Sequence, residues 1–249
     1  MTFHDHFSRD SEGYAKYRPR YPSALFEWLA ATVESRELAW DCATGNGQAA
    51  VGLATWFTRV VASDASIDQL RYATPLPNIE YRHESAESSD LETHSVDLVT
   101  CAQAVHWLSR DRFFAEARRV LRARSVIAVW GYHIPLVLET TIDAAIRQFH
   151  DEVVGPYWPP ERRLVLDRFS TIDLPFEPID APEFDMRCAW TLDDFAAYLG
   201  TQSATDRYRR AHSGDDPVPD LVARIEVPWG GRHEVRDVHF PVFMRAGRT

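Results

Sequence analysis

The stretch from Trp40 to Ala50, taken together with Asp64, constrains this chain more than any other. An apolar approach, Leu38-Ala39-Trp40, runs into Asp41-Cys42-Ala43-Thr44-Gly45-Asn46-Gly47, and Gln48 to Phe57 then reads as a helix. This is the pattern of a strand, a tight turn and a helix. Glycine reaches positive φ without a Cβ clash and lets a ligand approach the backbone, so two glycines at such a turn suit a nucleotide-like molecule. A second apolar run, Val60-Val61-Ala62-Ser63, ends at Asp64, seventeen residues after Gly47. A carboxylate at the end of a second strand is well placed to accept hydrogen bonds from both hydroxyls of a ribose.

Glycine spacing leaves two ligand classes open. Gly45, Gly47 and Ala50 satisfy the looser dinucleotide pattern G-x-G-x-x-A, with Asp64 near its acidic position. Asp41, four residues before Gly45, extends the segment to D-x-A-x-G-x-G. In that form it resembles the first motif of class I S-adenosylmethionine-dependent methyltransferases, with Ala43 standing where the family usually has its first glycine. An ordinary strand-to-helix turn is the plain alternative.

At 249 residues the chain is long enough for one α/β domain with insertions. Its 27 basic and 37 acidic residues give a formal charge of −10, which offers no general attraction to nucleic acid. The segment that carries an Asn/Asp-Pro-Pro-aromatic motif in base-amine methyltransferases reads Cys101-Ala102-Gln103-Ala104 here, so a small-molecule substrate is expected. Cys42, Cys101 and Cys188 form no C-x-x-C pair, which suggests neither a disulfide framework nor a zinc site and fits a reducing cytoplasm. No window reaches the eighteen or so apolar residues that span a bilayer, so no membrane partner is expected. His4 and His6 lack a third ligand, and no metal is expected either.

Along the chain, Tyr14-x-x-Tyr17-Arg18-Pro19-x-Tyr21-Pro22 places two tyrosines on one face if helical, and Ala24 to Glu34 follows as a helix with a Leu25, Trp28, Leu29 stripe. Ser66 is a plausible cap after Asp64-Ala65. Ile79 to His83 reads as the third strand, Ser95 to Ala104 as the fourth, Arg110 to Arg122 as an amphipathic helix and Ser125 to Trp130 as the fifth strand. His106-Trp107 then falls just beyond the fourth strand, at the edge where doubly wound sheets bind ligands. His106 is a titrating group placed to take or orient a substrate proton, although a lone histidine is also a common structural hydrogen-bonder. Leu136 to Val154 reads as a helix, broken by Gly155-Pro156-Tyr157-Trp158-Pro159-Pro160, with another helix from Glu161-Arg162-Arg163. Glu183 to Trp190 reads as a sixth strand, Leu192 to Leu199 as a helix, and residues from His233 to Arg245 as the last strand. Ser213 to Asp220 is the best candidate for a flexible loop.

The whole chain resembles the trans-aconitate methyltransferase-like branch of the class I family, a methyltransferase type 11 domain. The resemblance rests on Tyr17-Arg18-Pro19-x-Tyr21-Pro22, Asp41 to Gly47, Ser63-Asp64-Ala65-Ser66, His106-Trp107, Ile127 to Tyr132 and Gly155-Pro156-Tyr157-Trp158. It implies an α/β fold: a doubly wound, seven-stranded, mostly parallel Rossmann-like sheet with helical cap insertions and an antiparallel last strand. A single domain over 1–249 would divide into N-terminal lid helices (1–37), a cofactor-binding core (38–132), cap insertions (133–181 and 191–234) and the last strands (182–190 and 235–245).

The same resemblance implies S-adenosylmethionine as cofactor and S-adenosylhomocysteine as product. Cofactor contacts would come from Tyr17, Arg18, Asp41, Ala43, Gly45, Gly47, Asp64, Ala65, Ser85, Ala86, Glu87 and Gln103. Arg18 could pair with the methionine carboxylate, and the loop after the third strand, Ser85-Ala86-Glu87, would reach the adenine amine. Tyr14, Trp107, Tyr132, Tyr157, Trp158 and Arg162 are the substrate-side candidates, with Arg162 or Arg163 for a carboxylate and His106 as catalytic residue. The acceptor expected is a small molecule; a carboxylate oxygen would need no base, whereas for a hydroxyl or amine His106 would be the first candidate base. A nicotinamide-dependent oxidoreductase is the main rival, but Lys16 is the single lysine of the chain and no Tyr-x-x-x-Lys set exists. A non-catalytic S-adenosylmethionine-binding protein is the second rival.

Overall fold

A computed structural model describes residues 19–249. Tyr14, Tyr17, Arg18, His4 and His6 lie outside the described residues. Helix α1 (Ser23–Thr32) leads into strand β1 (Leu38–Cys42), and the glycine turn into α2 (Gln48–Leu53). There follow β2 (Arg59–Asp64), α3 (Ile67–Leu70), β3 (Ile79–His83), β4 (Val96–Ala102), a 3-10 turn (Val105–Trp107), α4 (Arg110–Val120) and β5 (Leu121–Tyr132). The second half contains α5 (Thr140–Gln148), α6 (Arg162–Leu166), β6 (Glu177–Ile179), β7 (Phe184–Trp190), α7 (Leu192–Gly200), α8 (Ser203–Ala211), α9 (Val218–Trp229) and β8 (Arg236–Arg248).

The sheet order is β3-β2-β1-β4-β5-β8-β6, with β7 also paired to β8. Strands β1 to β5 are parallel, and β8 runs antiparallel to β5. The doubly wound expectation therefore holds, and among the described residues eight strand segments fill seven places. β7 pairs with Arg236 to Val242 of β8 and β6 with Ala246 to Arg248, so the two share one flank of the long last strand. The sequence reading placed the short β6 inside a helical insertion. Its three residues include Pro178, which removes an amide donor and hides the strand from composition.

Central strands carry apolar residues on both faces because helices cover both. In β1, Ala39 joins a core with α1 and α2, while Trp40 faces a second core with α4. The winding reverses between β1 and β4, which are hydrogen-bonded neighbours. Their carboxyl ends define the crevice where open α/β sheets take ligands.

Several boundaries differ from those expected. α2 ends at Leu53 rather than Phe57. α5 starts at Thr140, because Leu136 forms a backbone bridge with His239 and the Glu139 side chain accepts from Ile142 N–H. Beyond Gln148 the helix widens into a π turn over Phe149–Val153. The proposed loop from Ser213 is already helical at Val218, whose N–H donates to the Asp216 carboxylate. Ser66 caps α3 as expected.

Candidate active site

The glycine turn is built from positive-φ residues: Ala43 at 50°, Gly45 at 60° and Gly47 at 84°. Asp64 fixes it to the end of β2. One carboxylate oxygen accepts from Gly45 N–H at 2.8 Å and the other from Ser66 N–H at 2.8 Å. The two glycines do different work. A Cβ on Gly47 would run into the Tyr81 ring, whereas among the described residues one on Gly45 would meet only Gln69 Oε1 at 3.8 Å. Gly45 thus presents an open backbone, and Gly47 is closed by the protein itself.

Asp41 is fully buried, and its oxygens accept from the Thr44 and Thr100 hydroxyls. Burial pushes its carboxyl up to about 6 despite those bonds. Both oxygens of this expected cofactor contact are thus engaged by hydroxyls of the chain itself. Asp41 holds the turn from beneath, because its position inside β1 points it into the core. Ala65 is exposed beside Asp64. In the Ser85-Ala86-Glu87 loop, Ala86 is buried, while Glu87 accepts from Ser85 Oγ and from Ser109 N–H at 3.0 Å. These bonds fix the loop and leave the Ala86 side chain facing the core.

Beyond the ends of β4 and β5 lies a cavity of about 90 Å³. Its floor is the loop ends of β4 and β5: Gln103, His106, Trp107, Tyr132, His133 and Ile134. Its roof is His150, Trp158, Pro159, Arg162, Tyr198, Gln202 and Ser203, contributed by both helical segments. Gln103 has φ 55° and its N–H donates to Trp130 O at 2.8 Å, so a strained residue at the end of β4 joins the crevice to the cavity.

His106 is buried and its Nδ1 has no hydrogen-bond partner among the described residues. Burial, then the Arg162 charge, push its pKa down to about 3. Such a ring stays neutral at physiological pH and is a weak base, so the expected proton-accepting role is not matched to neutral pH. His150 is displaced to about 3 by the same two causes, and His133 is lowered mainly by burial. Among the described residues no three His, Cys, Asp or Glu side chains gather as metal ligands would.

Trp107, Tyr132, Trp158 and Arg162 reach the cavity as expected. Arg162 lies over Trp158, its guanidinium carbon 4.5 Å from the ring centre. Arg163 instead pairs with Asp167 at the surface. Tyr157 is a correction: its hydroxyl is 2.7 Å from His212 Nε2 and its ring packs on Tyr208 at 5.2 Å. The 3-10 turn over Gly155–Tyr157 sends Tyr157 toward α8 and Trp158 into the cavity.

Sequence reading missed His133, His150, Tyr198, Gln202 and Ser203. His150 did carry a signal, since Ile142, Ile146, Phe149 and His150 follow the i, i+4, i+7, i+8 spacing of a buried helical face. Gln202 and Ser203 had none, being placed by the packing of α8.

With this geometry in view, the relatives are informative. A methyltransferase domain family matches residues 40–129. A Dictyostelium discoideum protein named as a methyltransferase is 30% identical over 248 residues, covering 97% of this chain and 94% of its own length. This chain belongs to the methyltransferase family. A solved type II methyltransferase structure from Anaeromyxobacter dehalogenans matches this methyltransferase with a TM-score of 0.87 at 39% identity, covering 93% of this chain and 97% of the other. A Saccharomyces cerevisiae protein named as an S-adenosylmethionine-dependent methyltransferase is 24% identical to it, over 85% of each chain. Among the described residues no helix of the methyltransferase is long and apolar enough to cross a membrane.

Proposed function

We propose that this methyltransferase uses S-adenosylmethionine to methylate a carboxylate oxygen of a small acceptor held in the cavity, as the resemblance to the trans-aconitate branch also implies. The observation that carries this reading is the Gly45 backbone tied to Asp64 at the sheet's switch point, together with a partly open cavity of mixed polar and apolar lining beyond the ends of β4 and β5.

The Asp64 carboxylate would accept from the ribose hydroxyls, and the open Gly45 backbone would let the ligand approach. The Ser85-Ala86-Glu87 loop would border the adenine, with Ala65 exposed nearby. Tyr17, Arg18 and Ala43 complete the proposed set, with Gln103 between cofactor and acceptor. The bound cofactor supplies an electrophilic methyl group and departs with the carbon–sulfur electron pair.

On the acceptor side, Arg162 supplies a cation to the cavity. Ser203 starts α8, whose N-terminus has no side-chain cap and so favours an anion. A carboxylate is already ionised at neutral pH and needs no base, which agrees with a neutral His106. His106 would orient the acceptor. The cap excludes water and holds the reacting groups in place, effects that together are worth several powers of ten.

Calorimetric titration with S-adenosylhomocysteine and, separately, NADH tests the cofactor. The expected result is micromolar binding of the first alone, weakened at least tenfold in Asp64→Asn with the fold retained by circular dichroism. Binding of NADH in its place would refute the reading.

A further inference from the structure

Two roof residues stand out because the fold leaves their polar atoms unsatisfied. His150 is 4% exposed, and neither ring nitrogen has a hydrogen-bond partner among the described residues. Gln202 is also 4% exposed, and its Oε1 is likewise unpaired. Both line the cavity, together with the unpaired Nδ1 of His106. A buried polar group without a partner costs roughly 1–3 kcal/mol, so several around one cavity signal a ligand that completes them.

Their placement is rigid. The His150 ring stacks on Trp158 at 6.3 Å with 12° between planes, and Trp158 carries Arg162 at 4.5 Å. Gln202 is fixed through its backbone, its N–H donating to Leu199 O at 3.2 Å and its carbonyl accepting from Asp206 N–H at 3.1 Å. The chemistry they offer is uncharged. Burial keeps His150 neutral, so it presents one donor and one acceptor, and Gln202 presents a carbonyl oxygen. With Arg162 assigned to the acceptor's carboxylate, the group left for this pair faces an amide oxygen and a neutral ring. A hydroxyl, which both donates and accepts, satisfies the pair.

We infer that His150 and Gln202 form a specificity subsite for a hydroxyl on the acceptor, so that the preferred substrate is a compact hydroxy acid rather than a plain carboxylic acid. The subsite deepens the proposed carboxylate methylation and rests on it. The small cavity agrees: one water needs roughly 10–15 Å³, so about 90 Å³ holds a molecule of roughly six to nine heavy atoms.

The test uses the intact protein saturated with S-adenosylhomocysteine, titrated calorimetrically with straight-chain C4 to C6 acids and their 2- and 3-hydroxy derivatives. Methyl transfer to the same acids is followed by S-adenosylhomocysteine release. In the wild type, at least one hydroxy acid should bind at least about tenfold more tightly than its parent. His150→Phe keeps the stacked ring and Gln202→Leu keeps the volume; both should reduce the preference, taken as the ratio of hydroxy-acid to parent-acid affinity within each variant, to within about twofold. Circular dichroism and S-adenosylhomocysteine affinity confirm that each variant is folded. Equal affinity for every hydroxylated and parent pair, or a preference kept in both folded variants, would overturn the subsite. If hydroxy acids bind with the expected preference and no acid is methylated, the hydroxyl contact at His150 and Gln202 stands, while the carboxylate reading falls and with it the assignment of a hydroxy acid as substrate. If both sets are methylated equally well, the carboxylate reading stands and the subsite falls.

Discussion

Replacing His150 with phenylalanine should change the acid sensitivity of the fold by a calculable amount. The ring is enclosed and stacked on Trp158, and its pKa is depressed from 6.5 to about 3 by burial and then by Arg162. As pH falls below 6.5 the unfolded chain takes up a proton at this residue while the folded chain does not, so stability is lost through the window from 6.5 to 3. At pH 5 the loss is about 2 kcal/mol, the 1.5 units between pH 5 and 6.5 at 1.36 kcal/mol each. At pH 7.5 it is near zero. Phenylalanine retains the stack and removes the titration. Urea unfolding of both proteins at pH 7.5 and 5.0 should therefore show the variant gaining about 2 kcal/mol on the wild type between the two conditions. Parallel losses in the two proteins would refute the reasoning, because they would mean that the folded state protonates His150 as freely as the unfolded one does.

Asp41 should act in the opposite sense. Its folded pKa of about 6 lies above the ordinary aspartate value of 3.8, so its contribution is present below 3.8 and is lost as pH rises through 6. Between pH 3.8 and 8, Asp41→Asn should gain about 3 kcal/mol on the wild type in denaturant midpoint analysis, and an unchanged difference would contradict the burial argument. The two glycines of the turn should separate stability from binding. Gly47→Ala meets Tyr81 and should lower the thermal midpoint by several degrees, whereas Gly45→Ala adds a Cβ in open space and should weaken S-adenosylhomocysteine binding more than it lowers the midpoint. The reverse order would show that the open face is not the ligand face. Tyr157→Phe should leave acceptor KM within about twofold, since its hydroxyl is directed to His212; a large rise in KM would return Tyr157 to the cavity.

The sequence by itself determined the strand, turn and helix at Trp40 to Leu53, the carboxylate at Asp64 and the parallel core through Tyr132. These depend on local rules that a chain states directly: glycine where φ is positive, two-sided apolar runs where helices cover a strand, and a polar cap where a helix starts. His106, Trp107 and Tyr132 were legible for the same reason, since loops at the carboxyl ends of parallel strands face the crevice. The direction of Asp41 was not, because a motif names a residue without saying that its neighbours Thr44 and Thr100 fold around it. Tertiary structure alone decided that Trp158 turns inward and Tyr157 outward, that β6 and β7 share one flank of β8, and that His150 and Gln202, fifty-two residues apart, face one cavity. Each of these is set by contacts between distant segments. Such contacts depend on how helices pack, and periodicity within a single helix does not encode that packing.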